Sequence, residues 1–139
     1  MIVLDSSGLF AALLATQHQH EPARLVLEAD PGPFVLSPFA LCELDYLLTT
    51  SVGTDVELEL LDDVAAGAYE LASFDVNDIT EARGVIERHG DLGIGLADAS
   101  IVVLASRYAT DRVLTLDERH FRALRTLDGK PFSILPADV

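Results

Sequence analysis

Short runs of almost wholly apolar residues, separated by longer segments of helical periodicity, are the feature of this sequence that most restricts its fold. The runs occupy residues 1–4, 33–37, 69–74, 112–116 and 132–135. Strands that are apolar on both faces are typical of parallel sheets that helices cover on both sides. The sequence therefore predicts an α/β fold, in which a five-stranded parallel sheet has helices on both faces.

The segments between these runs predict seven helices within one domain. Predicted helices cover residues 6–14, 21–29, 55–66, 77–89 and 95–109, and two more begin at Pro38 and near Asp117. A chain of 139 residues is large enough for one hydrophobic core, so residues 1–139 are expected to form a single domain. There is no apolar run of membrane-spanning length and no basic segment before the first apolar run. The expected location is therefore the cytoplasm, away from membranes.

Two of the predicted strands end on an aspartate. The run "MIVL" leads into Asp5, and the run "RVLTL" leads into Asp117. In open parallel sheets the ligand crevice lies beyond the carboxyl ends of the strands, which all point the same way. Both carboxylates are therefore expected to face one crevice. They repel each other there unless one is protonated or a cation lies between them.

Two further acids interrupt apolar helical segments. Glu43 lies among the apolar residues of "SPFALCELDYLL", and Asp98 is the only charge of its predicted helix before Arg107. Each also has a simpler explanation: Glu43 as a solvated residue of a first helical turn, and Asp98 as an anion favoured at a helix N-terminus. Together, the four carboxylates predict a site that suits Mg²⁺ or Mn²⁺ better than Zn²⁺. Such ions can activate water and stabilise the leaving oxygen in phosphodiester hydrolysis.

The net charge of −14 is divided unevenly along the chain. Residues 1–82 hold fifteen acids and one base, whereas residues 83–139 hold eight of each. Because Lys and Arg make most phosphate contacts, a nucleic acid is expected to approach over the later segment. There Arg119, Arg122 and Arg125 recur at helical spacing and are predicted to share one face. That face is either an RNA-approach face or simply a solvated basic surface.

Four segments, taken in order and spacing, resemble the PIN domain and, within it, the VapC toxins of bacterial VapBC toxin-antitoxin pairs. They are "MIVLDSSGLFAAL", "SPFALCELDYLL", "GLADASIVVLA" and "VLTLDERHF", and the resemblance covers nearly the whole chain. It implies a PIN-domain fold with the strand order 3-2-1-4-5. It also implies that the acids form a metal-binding catalytic quartet, which consists of Asp5, Glu43, Asp98 and Asp117.

The same resemblance implies an activity and partners. Members of the family cleave RNA with Mg²⁺ or Mn²⁺, usually as homodimers, and a cognate VapB-type antitoxin silences them by filling the active-site groove with its tail. The expected substrate is a looped or single-stranded site in tRNA or ribosomal RNA. The excess of acids further predicts a basic antitoxin tail. One of its arginines is expected to pair with two acids of the quartet and to displace a metal.

Residues beside the quartet are candidates for further roles. Ser7 and Thr115 are expected to orient carboxylates or a metal-bound water, although helix capping and strand packing explain them as well. His120 shares a predicted helix face with Asp117. Together with Arg119 and Arg122, it is a candidate for contact with the RNA.

Other classes of protein fit these residues less well. A receiver domain has a Lys-Pro pair after its last strand, whereas Lys130 and Pro131 precede "FSIL", and Asp5 lacks an adjacent acid. A phosphatase of the haloacid dehalogenase type needs a second acid where Ser7 stands. The remaining alternative is a PIN-like or receiver-like module that binds or signals without catalysis. The loss of an acid from the quartet would favour it.

Overall fold

Five parallel strands form the centre of the computed structural model, which describes residues 1–139. The strands are β1 (Ile2–Leu4), β2 (Phe34–Leu36), β3 (Glu70–Leu71), β4 (Arg112–Leu114) and β5 (Ser133–Leu135). Their order in the sheet is β3-β2-β1-β4-β5, and each neighbouring pair is parallel. The predicted α/β fold and strand order are thus confirmed, although every strand is shorter than its apolar run.

Seven α-helices connect the strands, as the sequence predicts. They are α1 (Ser6–Leu13), α2 (His20–Ala29), α3 (Pro38–Ser51), α4 (Thr54–Ala65), α5 (Val76–Arg88), α6 (Leu96–Arg107) and α7 (Glu118–Ala123). A short 3₁₀ helix at Gly90–Leu92 lies between α5 and α6. None of the helices combines the length and the apolar character that crossing a membrane requires.

The alternation of side chains along each strand divides the core into two layers. On β1, Ile2 and Leu4 pack with helices α1 to α4, whereas Val3 packs on the opposite face with α5, α6 and α7. Helix α6 is buried almost all round, with eight buried residues among its twelve. Both faces of the central strands are therefore covered, and the carboxyl-end edge of the sheet is where functional side chains can meet solvent.

Gly8 brings α1 into direct contact with the end of β4. A Cβ atom built at Gly8 would lie 2.4 Å from the carbonyl oxygen of Leu114, which is far inside any real carbon–oxygen contact. The backbone N–H of Asp5 also donates to this carbonyl oxygen, at 3.0 Å. The close approach places the start of α1 beside the chain that follows β4, and these two segments carry Asp5 and Asp117.

Candidate metal-binding active site

The four acids of the predicted quartet lie at the carboxyl-end edge of the sheet. Asp5 directly follows β1, and Asp117 follows β4 and caps the N-terminus of α7 by accepting the backbone N–H of His120 at 3.0 Å. Asp98 lies in the first turn of α6. Glu43 lies in the second turn of α3, which Ser37 caps. The topology of the fold therefore brings together four acids that are far apart in the sequence.

Asp5 is a buried carboxylate whose hydrogen bonds are supplied by the protein. Its Oδ2 accepts from the hydroxyl of Thr115 at 2.6 Å and from that of Ser7 at 3.0 Å. Burial raises the pKa of the Asp5 carboxyl, and these two hydrogen bonds reduce the rise. Both hydroxyls thus contact a carboxylate of the quartet, as the sequence analysis expects of them.

The same two hydroxyls also bind the turn that leads to Asp117. The backbone N–H of Leu116 donates to Ser7 Oγ at 3.0 Å, and that of Asp117 donates to Thr115 Oγ1 at 2.9 Å. Each hydroxyl therefore donates to Asp5 and accepts from the β4–α7 turn. This network fixes the positions of Asp5 and Asp117 relative to each other.

Asp98, Asp117 and His120 form a tighter group on the other side of the site. Their ligand atoms all lie within 4.8 Å of one another. Burial raises the pKa of the Asp98 carboxyl to about 6, and the negative charge of Asp5 contributes to that rise, whereas His120 opposes it. Carboxylates in this arrangement repel each other and lack the hydroxyl donors that Asp5 has.

The Nδ1 atom of His120 is the unsatisfied polar atom of this group. It lies 2.8 Å from Asp117 Oδ2 and 3.2 Å from Asp98 Oδ2, yet it is buried and has no partner in hydrogen-bond geometry. Buried nitrogen atoms without a partner are rare and require an explanation. Two carboxylates and a ring nitrogen that converge in this way are ligands suited to a divalent transition-metal ion such as Mn²⁺. The donor set therefore fits a bound cation.

The structure places His120 among the carboxylates of the site, and its expected contact with RNA stays a prediction. Its ring faces Asp98 and Asp117 within the site, with only 21% of the side chain exposed. The signal was present in the sequence, since His120 lies three residues after Asp117 and shares its helix face. What the sequence could not provide was the position of Asp98, which comes from another helix.

Glu43 lies at the margin of the site. Its side chain is exposed, and its Oε1 accepts from the hydroxyl of Ser6 at 3.0 Å. Its negative charge contributes to the raised pKa of both Asp5 and Asp98, but its oxygens are outside the tight group. The sequence gives no sign of this contact, because Ser6 and Glu43 are separated by 37 positions in the chain.

A buried pair of serines, also missed from the sequence, connects the helices that carry Glu43 and Asp98. Ser37 Oγ accepts from the backbone N–H of Phe39 at 3.1 Å and lies 2.7 Å from Ser100 Oγ. Ser100 Oγ in turn donates to the carbonyl oxygen of Ala97 at 2.6 Å. The first turn of α6 is therefore held against the first turn of α3.

The predicted row of three arginines does not form. Arg122 is bound by Asp138 at 2.7 Å and by Glu118 at 2.9 Å, and these carboxylates raise its pKa. Arg125 lies beyond the end of α7, so helical spacing no longer applies to it. Of the three, only Arg119 remains both on the helix and without a carboxylate oxygen within 4.0 Å. The expectation of a shared basic face on α7 is therefore wrong.

Comparisons with known proteins identify relatives of the chain. The sequence model of the family described as "PIN domain" matches residues 2–127. Ribonuclease VapC26 of Mycobacterium tuberculosis is 41% identical over 135 residues, a stretch that covers 97% of this chain and 100% of the relative.

Solved structures with similar folds include a toxin, a toxin-antitoxin complex and the protein FitAcB. The M. tuberculosis toxin VapC20, described as cleaving the sarcin-ricin loop, superposes with a TM-score of 0.78 at 17% identity, covering 84% of this chain and 90% of its own. A toxin-antitoxin complex from Klebsiella pneumoniae superposes with a TM-score of 0.65 at 15% identity, and the match covers 89% of this chain and 92% of the other. FitAcB from Neisseria gonorrhoeae superposes with a TM-score of 0.62 at 22% identity, and the match covers 96% of this chain and 97% of the other. At these identities the superpositions establish the fold alone.

Proposed function

Since this chain belongs to the PIN-domain family, in its VapC branch, we propose that it is a metal-dependent endoribonuclease toxin that hydrolyses RNA phosphodiester bonds. The observation that carries the proposal is the convergence of Asp98, Asp117 and the unpartnered Nδ1 of His120 beside Asp5 and Glu43. Five side chains of types that can bind a metal, at the open edge of a parallel sheet, are more than a capping or solvation role requires.

We propose that Asp5, Glu43, Asp98 and Asp117 hold Mg²⁺ or Mn²⁺ and are the catalytic residues. Two ions that share such carboxylates supply an activated water and stabilise the leaving oxygen of the displaced phosphodiester. The donor set supports this assignment, because carboxylates are the ligands that these ions prefer. His120 would add a nitrogen ligand, which Mn²⁺ accepts more readily than Mg²⁺ does.

The residues around the carboxylates have roles that follow from their contacts. Ser7 and Thr115 both donate to Oδ2 of Asp5 and hold its carboxylate in one orientation. The pKa of the Asp98 carboxyl is raised to about 6, so a nearby cation would favour its ionised form. Asp5 is thus fixed by hydrogen bonds, whereas Asp98 is a carboxylate whose charge a bound cation would stabilise.

The proposed substrate is structured RNA, either tRNA or ribosomal RNA, cleaved at a looped or single-stranded site. Support comes from VapC20, the relative described as cleaving the sarcin-ricin loop. Sequence-specific recognition of RNA mostly targets unstacked bases in loops and bulges, which can reach a crevice at a sheet edge. Arg119, which has no carboxylate partner, remains a candidate contact for this RNA.

We further propose a partner and an assembly. The partner is a cognate VapB-type antitoxin with a basic tail, since one protein of similar fold is described as a toxin-antitoxin complex and the quartet is strongly anionic. An arginine of that tail would pair with two carboxylates and displace a metal. The chain would act in the cytoplasm as a homodimer. Residues 1–139 would form one domain, because β5 lies beyond the family match yet belongs to the same sheet.

The test is RNA cleavage by purified wild-type protein, with and without Mg²⁺ or Mn²⁺, beside two aspartate variants. Asp98→Asn should keep the fold and lose cleavage, because the amide is nearly isosteric but cannot bind a metal as a carboxylate does. Asp91→Asn is the matched control, since Asp91 is an exposed acid seven residues earlier. Metal-independent cleavage, or full cleavage by a folded Asp98→Asn variant, would refute the proposed function.

A further inference from the structure

Most basic residues of this chain are neutralised by acids. Of its nine, six have a carboxylate oxygen within 4.0 Å: Arg24, Arg83, Arg107, Arg112, Arg122 and Lys130. Only Arg88, Arg119 and Arg125 have none. In a protein of net charge −14, a basic residue that avoids every carboxylate is a candidate for binding an external anion.

Two of these three arginines line the same groove. It has a volume of about 480 Å³ and lies between the end of α5, the middle of α6 and the turn that follows α7. Its lining includes Arg88, His89 and Arg125 but no acidic residue. We call it the basic groove. It is a local concentration of positive charge on an otherwise anionic protein.

The two arginines are exposed and have donors to spare. The side chain of Arg88 makes no hydrogen bond within the protein, and that of Arg125 uses a single nitrogen, Nη1, to donate to the carbonyl oxygens of Arg122 and Leu124. A guanidinium group has five N–H donors, so both side chains can bind an anion without breaking an existing contact. Arginine is also the residue best suited to bidentate contact with phosphate.

One wall of the groove is preformed. The turn after Arg125 is closed by bonds from the backbone N–H of Thr126 to the carbonyl oxygen of Lys130, at 2.8 Å, and from that of Gly129 to the carbonyl oxygen of Thr126, at 2.9 Å. The nearest acid of the turn, Asp128, accepts from the hydroxyl of Thr126 at 2.5 Å and is thereby held by the turn itself. This turn therefore gives the basic groove an edge that is already ordered before an anion binds.

The basic groove begins about one helical turn from the candidate metal ligands. Val102, in its floor, follows Asp98 by four residues on α6, a rise of about 6 Å along the helix axis. Arg125 follows His120 by five residues. By this spacing, the groove and the carboxylates are near enough for one RNA strand to contact both.

We propose that the basic groove binds backbone phosphates of the RNA strand beside the bond that is cleaved, with Arg88 and Arg125 as its phosphate ligands. This inference rests on the proposed ribonuclease function. It accounts for how a strongly acidic protein holds a polyanion: carboxylate-bound cations attract one phosphate, and a nearby pair of unpaired arginines attracts those that follow. An acidic protein segment, such as residues 1–82 of a second copy, is the competing occupant.

The experiment compares two double variants that lower the net charge equally. Arg88→Gln/Arg125→Gln removes the arginines of the groove, whereas Arg24→Gln/Arg83→Gln removes two arginines that are paired with glutamates on their own helices. Binding of a fluorescein-labelled single-stranded RNA is measured in the Asp98→Asn background, with Mg²⁺, over a series of salt concentrations. Cleavage kinetics are measured in the otherwise wild-type protein.

The groove variant should bind RNA roughly tenfold more weakly, and the slope of log K against log salt should fall by about 1.4, because two phosphate contacts are lost. In cleavage, KM should rise while kcat changes little. The paired-arginine variant should remain close to the wild type. The charge-conserving Arg88→Lys/Arg125→Lys variant should keep most of the slope, and this separates lost phosphate contacts from a folding defect.

Three results would overturn the inference. The first is equal weakening by both double variants, which would mean that net charge alone governs binding. The second is unchanged RNA binding by the groove variant while the wild type still cleaves RNA, which would leave the proposed function standing. The third is altered self-association in sedimentation without a change in RNA binding, which would assign the groove to a second copy. If the wild type neither binds nor cleaves RNA, the proposed function fails first.

Discussion

Asp5 and Asp98 lie at the same edge of the sheet but differ in how the protein treats their charge. Two hydroxyls donate to Asp5, and those hydroxyls are themselves held by backbone N–H groups. The Oδ2 atom of Asp98 instead lies 3.2 Å from the unpartnered Nδ1 of His120, and the negative charges of three other acids raise its pKa. The comparison teaches that one side of the site is preorganised by the fold, whereas the other side holds carboxylates that repel one another, and there we propose that a cation binds.

The largest effect is expected from disturbing the contact that brings the two sides together. Gly8→Ala places a methyl group 2.4 Å from the carbonyl oxygen of Leu114, so the backbone of α1 or β4 must move. We expect a loss of about 3 kcal/mol or more in the free energy of unfolding, measured by urea denaturation, and loss of activity. Gly90→Ala is the control, because nothing lies near its Cβ position. Equal stability of both variants would show that α1 does not depend on this contact.

The arrangement of the strands was within reach of the sequence. Residues 1–4 and 112–116 are apolar on both faces, which requires a covered parallel sheet, and an aspartate at the end of each run must then reach the carboxyl-end edge. Glu43 and Asp98 could be recognised because a charge within an apolar helical segment needs a partner. Local pattern and global topology agree at these positions.

What the sequence could not predict depends on contacts between distant residues. Leu124 is completely buried and has extended backbone, so α7 ends at Ala123 and Arg125 lies outside the helix. Arg122 is taken by Asp138, sixteen residues later. Neither the burial of one leucine nor the position of the last acid has a periodic signature in the sequence. The proximity of Ser6 to Glu43 is hidden for the same reason.

The second prediction concerns pH and sharpens the contrast between Asp5 and Asp98. The pKa of Asp98 rises from 3.8 to about 6 on folding, so the metal-free folded state favours the protonated form. The contribution of Asp98 to stability should therefore fall by about 2 kcal/mol as pH rises from about 4 to about 6, and Asp98→Asn should remove this part of the loss, whereas the part due to Asp5, whose pKa is also raised, should remain. Urea denaturation at several pH values in EDTA measures it, with Asp91→Asn as control. An unchanged profile in Asp98→Asn would contradict the assigned cause.

The third prediction breaks the preorganised side. Thr115→Val keeps the shape of a buried side chain but removes a donor to Asp5 and an acceptor for the backbone N–H of Asp117. We expect a loss of about 1–2 kcal/mol in stability and about tenfold weaker Mn²⁺ binding, measured by calorimetry. Thr115→Ser, which restores the hydroxyl, should recover most of both. If Thr115→Ser binds Mn²⁺ as poorly as Thr115→Val, packing rather than the hydroxyl is responsible.

The smallest effect is expected at the exposed margin of the site. Ser6→Ala removes the hydroxyl that donates to Glu43. Because this glutamate is exposed, we expect the free energy of unfolding to fall by no more than about 1 kcal/mol. The metal requirement for cleavage should rise only a few fold, as measured by titrating Mn²⁺ against initial rates. Ser51→Ala, at the exposed end of α3, is the control. A loss of activity as large as that of Asp98→Asn would show that Glu43 is not marginal at all.

The most direct measurement is anomalous diffraction from crystals of the wild-type protein soaked in Mn²⁺. We predict a peak between Asp98, Asp117 and Nδ1 of His120, with the two carboxylates at coordination distance, and a weaker or missing peak in crystals of His120→Ala. If saturating Mn²⁺ gives no peak beside Asp98 and Asp117, the side of the site formed by Asp98, Asp117 and His120 does not bind a cation and the account is wrong.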